Sequence, residues 1–399
     1  MSAIRVAICG DFPEEQWPSM DRVADMLIAQ LRQDHAGGVE PTAERPPFVR
    51  RATRAGRSLA PDLAFSFDRL TNRLWDYPRH ARAIAGSYDA YHVVDHSYAQ
   101  LVHRLPARRT VVTCHDLDTF RSVLYPDQDA RSAPFRMMTR HILAGLQRAA
   151  RITCDTAAVR DEILSLGLVP AERLVVVPVG VSEIYSTRCD PEADCAAAGL
   201  TAPAPGAIEL LHVGSTIARK RIDVLLNMFA AVRRSHPSLR LVRVGGPFTP
   251  EQRRLARDLG LTEHISELPA IDERTLAAVY RRAALVVQPS AREGFGLPVI
   301  EALACGTPVV ASDIPALREV GGAAAEFCAV GDVDGWTRAV TTLLDERRAN
   351  PERWTARRIR GRDRARSFSW TAFADGLTRV YAELACSPLP APGSVRCPA

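Results

Sequence analysis

Residues 290–313 read "SAREGFGLPVIEALACGTPVVASD". The apolar run "ALVVQPS" (284–290) leads into them and "TPVVAS" (307–312) closes them; both have the length and composition of buried strands. Between these runs lies a loop with Glu293, Gly294, Phe295, Gly296 and Leu297. A helix then opens at Pro298, whose missing N–H costs nothing at the first helical position. Strand, loop, helix, strand is the repeat of a parallel α/β sheet. The glycines beside Phe295 let backbone come close to a ligand. Free N–H groups and the dipole at a helix start favour an anion such as phosphate. Glu301 is expected in the first turn of that helix, where two acceptor oxygens suit the two hydroxyls of a ribose. Glu293, in the loop, suits a sugar hydroxyl. The plain alternative for either carboxylate is a helix-dipole partner or a solvated charge.

The same rhythm runs outward in both directions. Towards the N-terminus of this half, "IELLHVG" (208–214) and "LRLVRVGG" read as strands, with a helical pattern "RKRIDVLLNMFAAVRR" between them. The first half carries "IRVAIC" (4–9), "YHVVD" (91–95), "TVVTC" (110–114), "RITC" (151–154) and "RLVVVPVG" (173–180), separated by helix-like segments. The expected fold is therefore α/β, with two doubly wound Rossmann-like domains in tandem, facing an interdomain cleft into which strand-end loops project. The expected division is residues 1–200, a first domain, and 206–368, a second domain. The end of "CDPEADCAAAGLTAPAPGA" (189–207) reads as the linker between them. Residues 369–385 form a last helix, and 386–399 lack any periodic pattern and are expected to be disordered.

The totals narrow the class. Of 399 residues, 47% are hydrophobic and 24% charged, the balance of a soluble globular protein. A net charge of +5 is too small to argue for nucleic acid. The nine cysteines form no CxxC pair and several sit in apolar runs, which predicts reduced thiols and a cytoplasmic protein. The opening "MSAIRVAICGDF" has no signal pattern, and no run of ~18 apolar residues occurs. Among 51 Lys and Arg residues there is one lysine, Lys220. Coding bias explains the rarity, and a lone solvated charge is the plain reading of any such residue. Its place, directly after a strand exit at Gly214, suggests more.

The spacing Glu293, seven residues, Glu301 resembles the E-x7-E motif of retaining glycosyltransferases of the GT-B fold, in particular glycosyltransferase family 4. "GFGLPVI" and "EALACGTPVVASDIPALREVGG" are similar to that family's wording, and the resemblance extends over nearly the whole chain. "VVVPVGV" (175–181) resembles another of its segments, with Val179 where Asn is usual, and "TCHDL" (113–117) resembles a third. "FSWTAFADGLTRVYAEL" resembles the family's C-terminal helix, which crosses back to the first domain.

The resemblance implies roles residue by residue. "VGSTIARKRID" places Arg219 and Lys220 where the family holds the donor diphosphate, with Gly214 allowing the tight strand exit. Gly294, Phe295, Gly296, Leu297 and Glu301 fall at donor-binding positions, while Glu293 and His115 are implied to position the sugar. A loop-capping role is the alternative for His115. His96, beside Asp95, is a weaker acceptor-side candidate, and His212 is expected to be packed. "DLD" (116–118) and "DVD" (332–334) match a three-residue metal motif that chance supplies, so no metal and no cofactor are expected.

The implied function is retaining transfer of a hexose from a UDP- or GDP-linked donor, leaning slightly to mannose. The acceptor would be a hydroxyl of a glycan, a lipid-linked or a small molecule. No nucleic-acid partner is expected; peripheral contact with a membrane is left open. The arginine-bearing segment 45–82 is either an acceptor or membrane contact or a solvated face. A nucleotide-sugar epimerase and an inactive binding protein of the same fold are the alternatives.

Overall fold

The computed structural model describes residues 3–15, 18–55, 60–201 and 206–386. The chain divides into two compact units, one of Met1–Pro178 with Trp370–Ala399, the other of Val179–Ser369.

The first unit is built on six parallel strands: β1 (Ile4–Cys9), β2 (Val39–Ala43), β3 (Ala90–Val93), β4 (Thr110–Cys114), β5 (Arg151–Cys154) and β6 (Leu174–Val176). Their order is β2-β1-β3-β4-β5-β6. Central strands β3 and β4 are buried along their full length, which is why they read as unbroken apolar runs. The helix Trp370–Ala385 belongs to this unit and buries Trp370, Phe373, Leu377 and Tyr381. Its Tyr381 hydroxyl lies 2.7 Å from Nδ1 of His92 on β3. A side chain at Gly376 would strike Val177 at 2.7 Å, so the helix lies directly on the end of the sheet.

The second unit holds β7 (Ile208–Val213), β8 (Leu239–Val244), β9 (Ile265–Leu268), β10 (Leu285–Gln288), β11 (Val309–Ser312) and β12 (Ala325–Cys328), all parallel. The order is β12-β11-β10-β7-β8-β9. The chain winds from β7 outward to β9, returns, and winds the other way from β10 to β12. The reversal leaves a crevice between the carboxyl ends of β7 and β10, the usual ligand position in an open α/β sheet.

The division differs from the sequence expectation. Residues 179–201 lie with the second unit, not the first. The helix Pro191–Thr201 is stapled to the helix Glu273–Arg282 by ion pairs that composition does not reveal. Arg281 reaches Asp194 at 2.5 Å and Arg274 reaches Asp190 at 2.9 Å. The expectation for 386–399 falls, from 387 onward, outside the described residues.

Candidate active site

In the second unit, the loops that follow β7 and β10 flank the crevice and are tied together. The Ala291 N–H donates to the Arg219 carbonyl at 2.7 Å, and Arg219 Nη1 donates to the Arg292 carbonyl at 2.9 Å. At the centre, Lys220 Nζ donates to Glu293 Oε1 at 2.6 Å and Arg219 Nη1 to Glu293 Oε2 at 3.0 Å. Gln288, the last residue of β10, donates to the same Oε1 at 2.9 Å. Burial alone would raise the Glu293 carboxyl, but Lys220 and then Arg219 pull it down to about 2. Glu293 is thus an anion locked between two cations.

Lys220 is buried, its stem lying over Gly214. A Cβ added at Gly214 would stand 3.5 Å from Lys220 Cε. Arg221 follows with φ 49°, a left-handed conformation that costs a non-glycine residue about 1–2 kcal/mol. Its guanidinium donates to Asp223 at 2.8 Å.

The residue that fixes these loops was not singled out in the sequence. Arg243, on β8, is fully buried; Nη2 donates to the Gly214 carbonyl at 2.8 Å and Nη1 to the Gly246 carbonyl. Gly245 has φ 118°, and a Cβ there would meet the Gly214 carbonyl oxygen at 2.4 Å. The strand ends are therefore packed backbone on backbone. The available signal was an arginine inside the apolar run "LRLVRVGG", since a buried guanidinium needs acceptors arranged for it. His212 is packed, as expected, and burial together with Arg243 and Lys220 pushes it down to about 3.

The helix Leu297–Ala304 begins at Gly296, whose φ is 103° and whose Cβ would come within 2.5 Å of Leu317. Counting from Leu297, Glu301 is the fifth helical residue, so it stands in the second turn and not the first. It is buried and accepts from the Tyr280 hydroxyl at 2.8 Å. The Phe295 ring is buried too, edge-on to Phe368 at 5.5 Å. That packing leaves its backbone, rather than its side chain, for a ligand. Leu297 and the two flanking glycines, Gly294 and Gly296, lie in the loop and helix start as expected. Asp332 of "DVD" accepts from Gly335 N–H as a helix cap, and Asp116 of "DLD" accepts from Asp118 N–H in a turn.

In the first unit the corresponding reversal lies between β1 and β3. Asp11, Asp95 and His96 flank it, and His115 and Asp155 follow β4 and β5. His115 Nδ1 lies 2.7 Å from Asp155 and Nε2 lies 2.8 Å from the Val94 carbonyl. Two acceptors make both ring nitrogens donors, so His115 is an imidazolium. Burial would lower it, but Asp155, by charge and hydrogen bond, and then Asp95 raise it to about 9. His115 and Glu293 stand in different units, and in each case the side chain's polar atoms bond its own unit. Asp11 was not singled out in the sequence; burial and the neighbouring Asp95 hold its carboxyl well above the usual range.

The chain as a whole has known relatives. A model described as Glycosyltransferase Family 4 matches residues 22–183, and one described as Glycosyl transferases group 1 matches 202–360. A D-inositol 3-phosphate glycosyltransferase from Catenulispora acidiphila is 31% identical over 314 residues, covering 74% of this chain and 72% of the relative. This chain belongs to glycosyltransferase family 4.

A relative of the same description from Frankia alni is 32% identical over 75% of the glycosyltransferase and 76% of its own length. The match to one from Nocardia farcinica, also 32% identical, spans only 60% of that relative. Sucrose-phosphate synthase from Thermosynechococcus elongatus superposes with a TM-score of 0.71 at 21% identity, over 96% of this chain and 99% of that one. HepE from Anabaena, in complex with UDP and glucose, gives 0.69 at 15% identity, over 95% and 99%. The glycosyltransferase therefore has the GT-B fold, with two Rossmann-like units.

Proposed function

We propose that the protein is a retaining hexosyltransferase that uses a UDP- or GDP-linked hexose, mannose being the first sugar to assay. The observation that carries this is the Lys220–Glu293–Arg219 cluster at the reversal of the second sheet. Two cations held side by side match two adjoining phosphates: the lysine is a compact point charge and the arginine a planar fork. Buried Glu301, held by Tyr280, is the residue for the ribose. Glu293 acts as a positioning residue, because its oxygens bond the cations.

The acceptor oxygen attacks the anomeric carbon from the side of the leaving diphosphate. The carbon–oxygen bond to the diphosphate breaks, and the acceptor proton passes to a phosphate oxygen. Lys220 and Arg219 stabilise the charge that develops there, and preorganised stabilisation of this kind commonly contributes more to catalysis than any other effect. His115 contributes a fixed positive charge at the strand ends of the first unit.

For the acceptor, the relatives' description favours a phosphorylated polyol, and the basic segment 45–82 suits the same chemistry as a free molecule or a lipid headgroup. Peripheral membrane contact through that segment completes the reading. The test is incubation of the full chain with UDP- and GDP-hexoses and either free inositol phosphate or vesicles with a phosphoinositol headgroup. The product's mass and anomeric configuration are then read. Retention with one acceptor supports the proposal, and inversion contradicts it. Conversion of the donor sugar without acceptor would identify an epimerase; donor binding without turnover would identify a binding protein.

A further inference from the structure

Helical residues 61–84 of the first unit run as Pro61–Thr71, a wider turn Asn72–Asp76, and Tyr77–Ile84. Over residues 61–76 their amphipathicity is partly inverted. The inward side carries Asp68 and Asn72, both wholly buried. Asp68 accepts from the N–H groups of Arg51, Ala52 and Thr53 and from the Thr53 hydroxyl. Asn72 pairs with both backbone groups of Val49, at 2.7 and 2.8 Å. The outward side carries Leu63, Phe67, Leu70 and Leu74, spaced four, three and four apart along one face, with Trp75 beside them. They are 61, 54, 41, 39 and 59% exposed, respectively. An ordinary surface helix turns such a stripe to the core. Here the core side is already occupied, by Ala64 with the satisfied polar groups of Asp68 and Asn72 and then by Tyr77 and Ala81, so the outward apolar face is built into the fold. Contiguous exposed apolar surface of this kind marks an interaction site.

Charge selects the occupant. Residues 45–82 hold nine arginines and three aspartates, a formal +6, whereas the whole chain carries +5. The entire positive excess therefore sits in this segment. One aspartate, Asp68, is turned inward and another, Asp76, is paired with Arg51 at 2.7 Å. Arg50, Arg54, Arg79 and Arg82 are exposed, and Arg79 lies 5.2 Å over the Trp75 ring. Leucine, phenylalanine and tryptophan on one face, with arginines around them, is the composition of an interfacial helix on anionic lipid. No helix among the described residues is long and apolar enough to cross a membrane, so attachment of this kind is peripheral.

We propose that this face docks on an anionic phospholipid surface, with Leu63, Phe67, Leu70, Leu74 and Trp75 seated among the headgroups and the arginines against their phosphates. The inference extends the peripheral-membrane part of the functional reading. Its test contains no nucleotide sugar, so its failure leaves the donor assignment untouched.

The full chain is sedimented with neutral phosphatidylcholine vesicles and with vesicles about one-third phosphatidylglycerol. Binding is expected to be at least about tenfold tighter to the anionic vesicles and to weaken with salt. The combined variant Phe67→Ser, Leu70→Ser, Trp75→Ser should lose about tenfold or more while its melting temperature holds, since these side chains are exposed. Arg54→Ser with Arg82→Ser should weaken binding chiefly at low salt. Absence of binding to anionic vesicles, or equal binding by the triple variant, overturns the proposal. A dimeric parent that the triple variant makes monomeric also overturns it, because the face then covers a second copy.

Discussion

Lys220 Nζ lies 2.6 Å from Glu293 Oε1, and the other oxygen of that carboxylate holds Arg219 at 3.0 Å. One anion keeps two cations adjacent that would otherwise repel each other. A diphosphate brings more negative charge than the carboxylate and meets the cations already placed, so little reorganisation is required when charge develops on the leaving group.

Lys220→Arg is expected to keep the fold and lose about 100-fold or more in kcat/KM, the scale of removing one preorganised donor. The lysine lies buried against Gly214, and a bulkier, forked guanidinium in its place is expected to displace the loop. Steady-state kinetics beside a melting curve separates lost turnover from lost fold.

Glu293→Gln leaves buried Lys220 and partly buried Arg219 without their anion, which should destabilise the protein by about 3 kcal/mol. Added nucleotide diphosphate should then raise the variant's melting temperature more than the parent's. The sign of the pH dependence follows from the carboxyl's depression from 4.5 to about 2. Its stabilisation is present above pH 4.5 and is lost as pH falls through 2. The gap in melting temperature between parent and variant should close over that window.

Asp155→Asn removes the anion that raises His115 from 6.5 to about 9. A raised histidine stabilises the fold fully below pH 6.5 and ceases to do so as pH rises through 9. The parent should therefore exceed the variant in melting temperature at pH 6, with the difference shrinking by pH 9.5. A constant difference across this range would mean that His115 is not the titrating group.

Arg243→Met strips the donors from the Gly214 and Gly246 carbonyls. Loss of about 2–4 kcal/mol is expected, because buried acceptors are left unpaired. KM for the donor should rise as the loops after β7 and β8 loosen; chemical denaturation and kinetics read the two effects separately.

The central strands were legible in the sequence, and three edge strands were not. β3, β4, β10 and β11 are buried on both faces and so appear as apolar runs. β2, β9 and β12 lie at sheet edges, and their half-exposed residues, as in "VEPTA" and "ISEL", show no such run. Glu293 was found because a carboxylate in a glycine-rich loop at a strand exit has a ligand-binding reason to stand there, whereas Gly214 and Lys220 were found through the resemblance of "VGSTIARKRID" to the family's segment. That Glu293 is bonded to the cations, and that Glu301 is tethered by Tyr280, depends on contacts between residues 73 and 21 positions apart. No local pattern encodes such contacts. The partly inverted helix escaped for the opposite reason: its periodicity is visible, but periodicity alone does not say which side faces in.

Calorimetric titration of UDP and GDP into the parent and Lys220→Ala tests the donor assignment most directly. One of the two nucleotides should bind the parent at a single site, and the variant should bind it about 30-fold more weakly, the equivalent of one charge-assisted contact of about 2 kcal/mol. Equal affinity in the two proteins would contradict the placement of the diphosphate at Lys220.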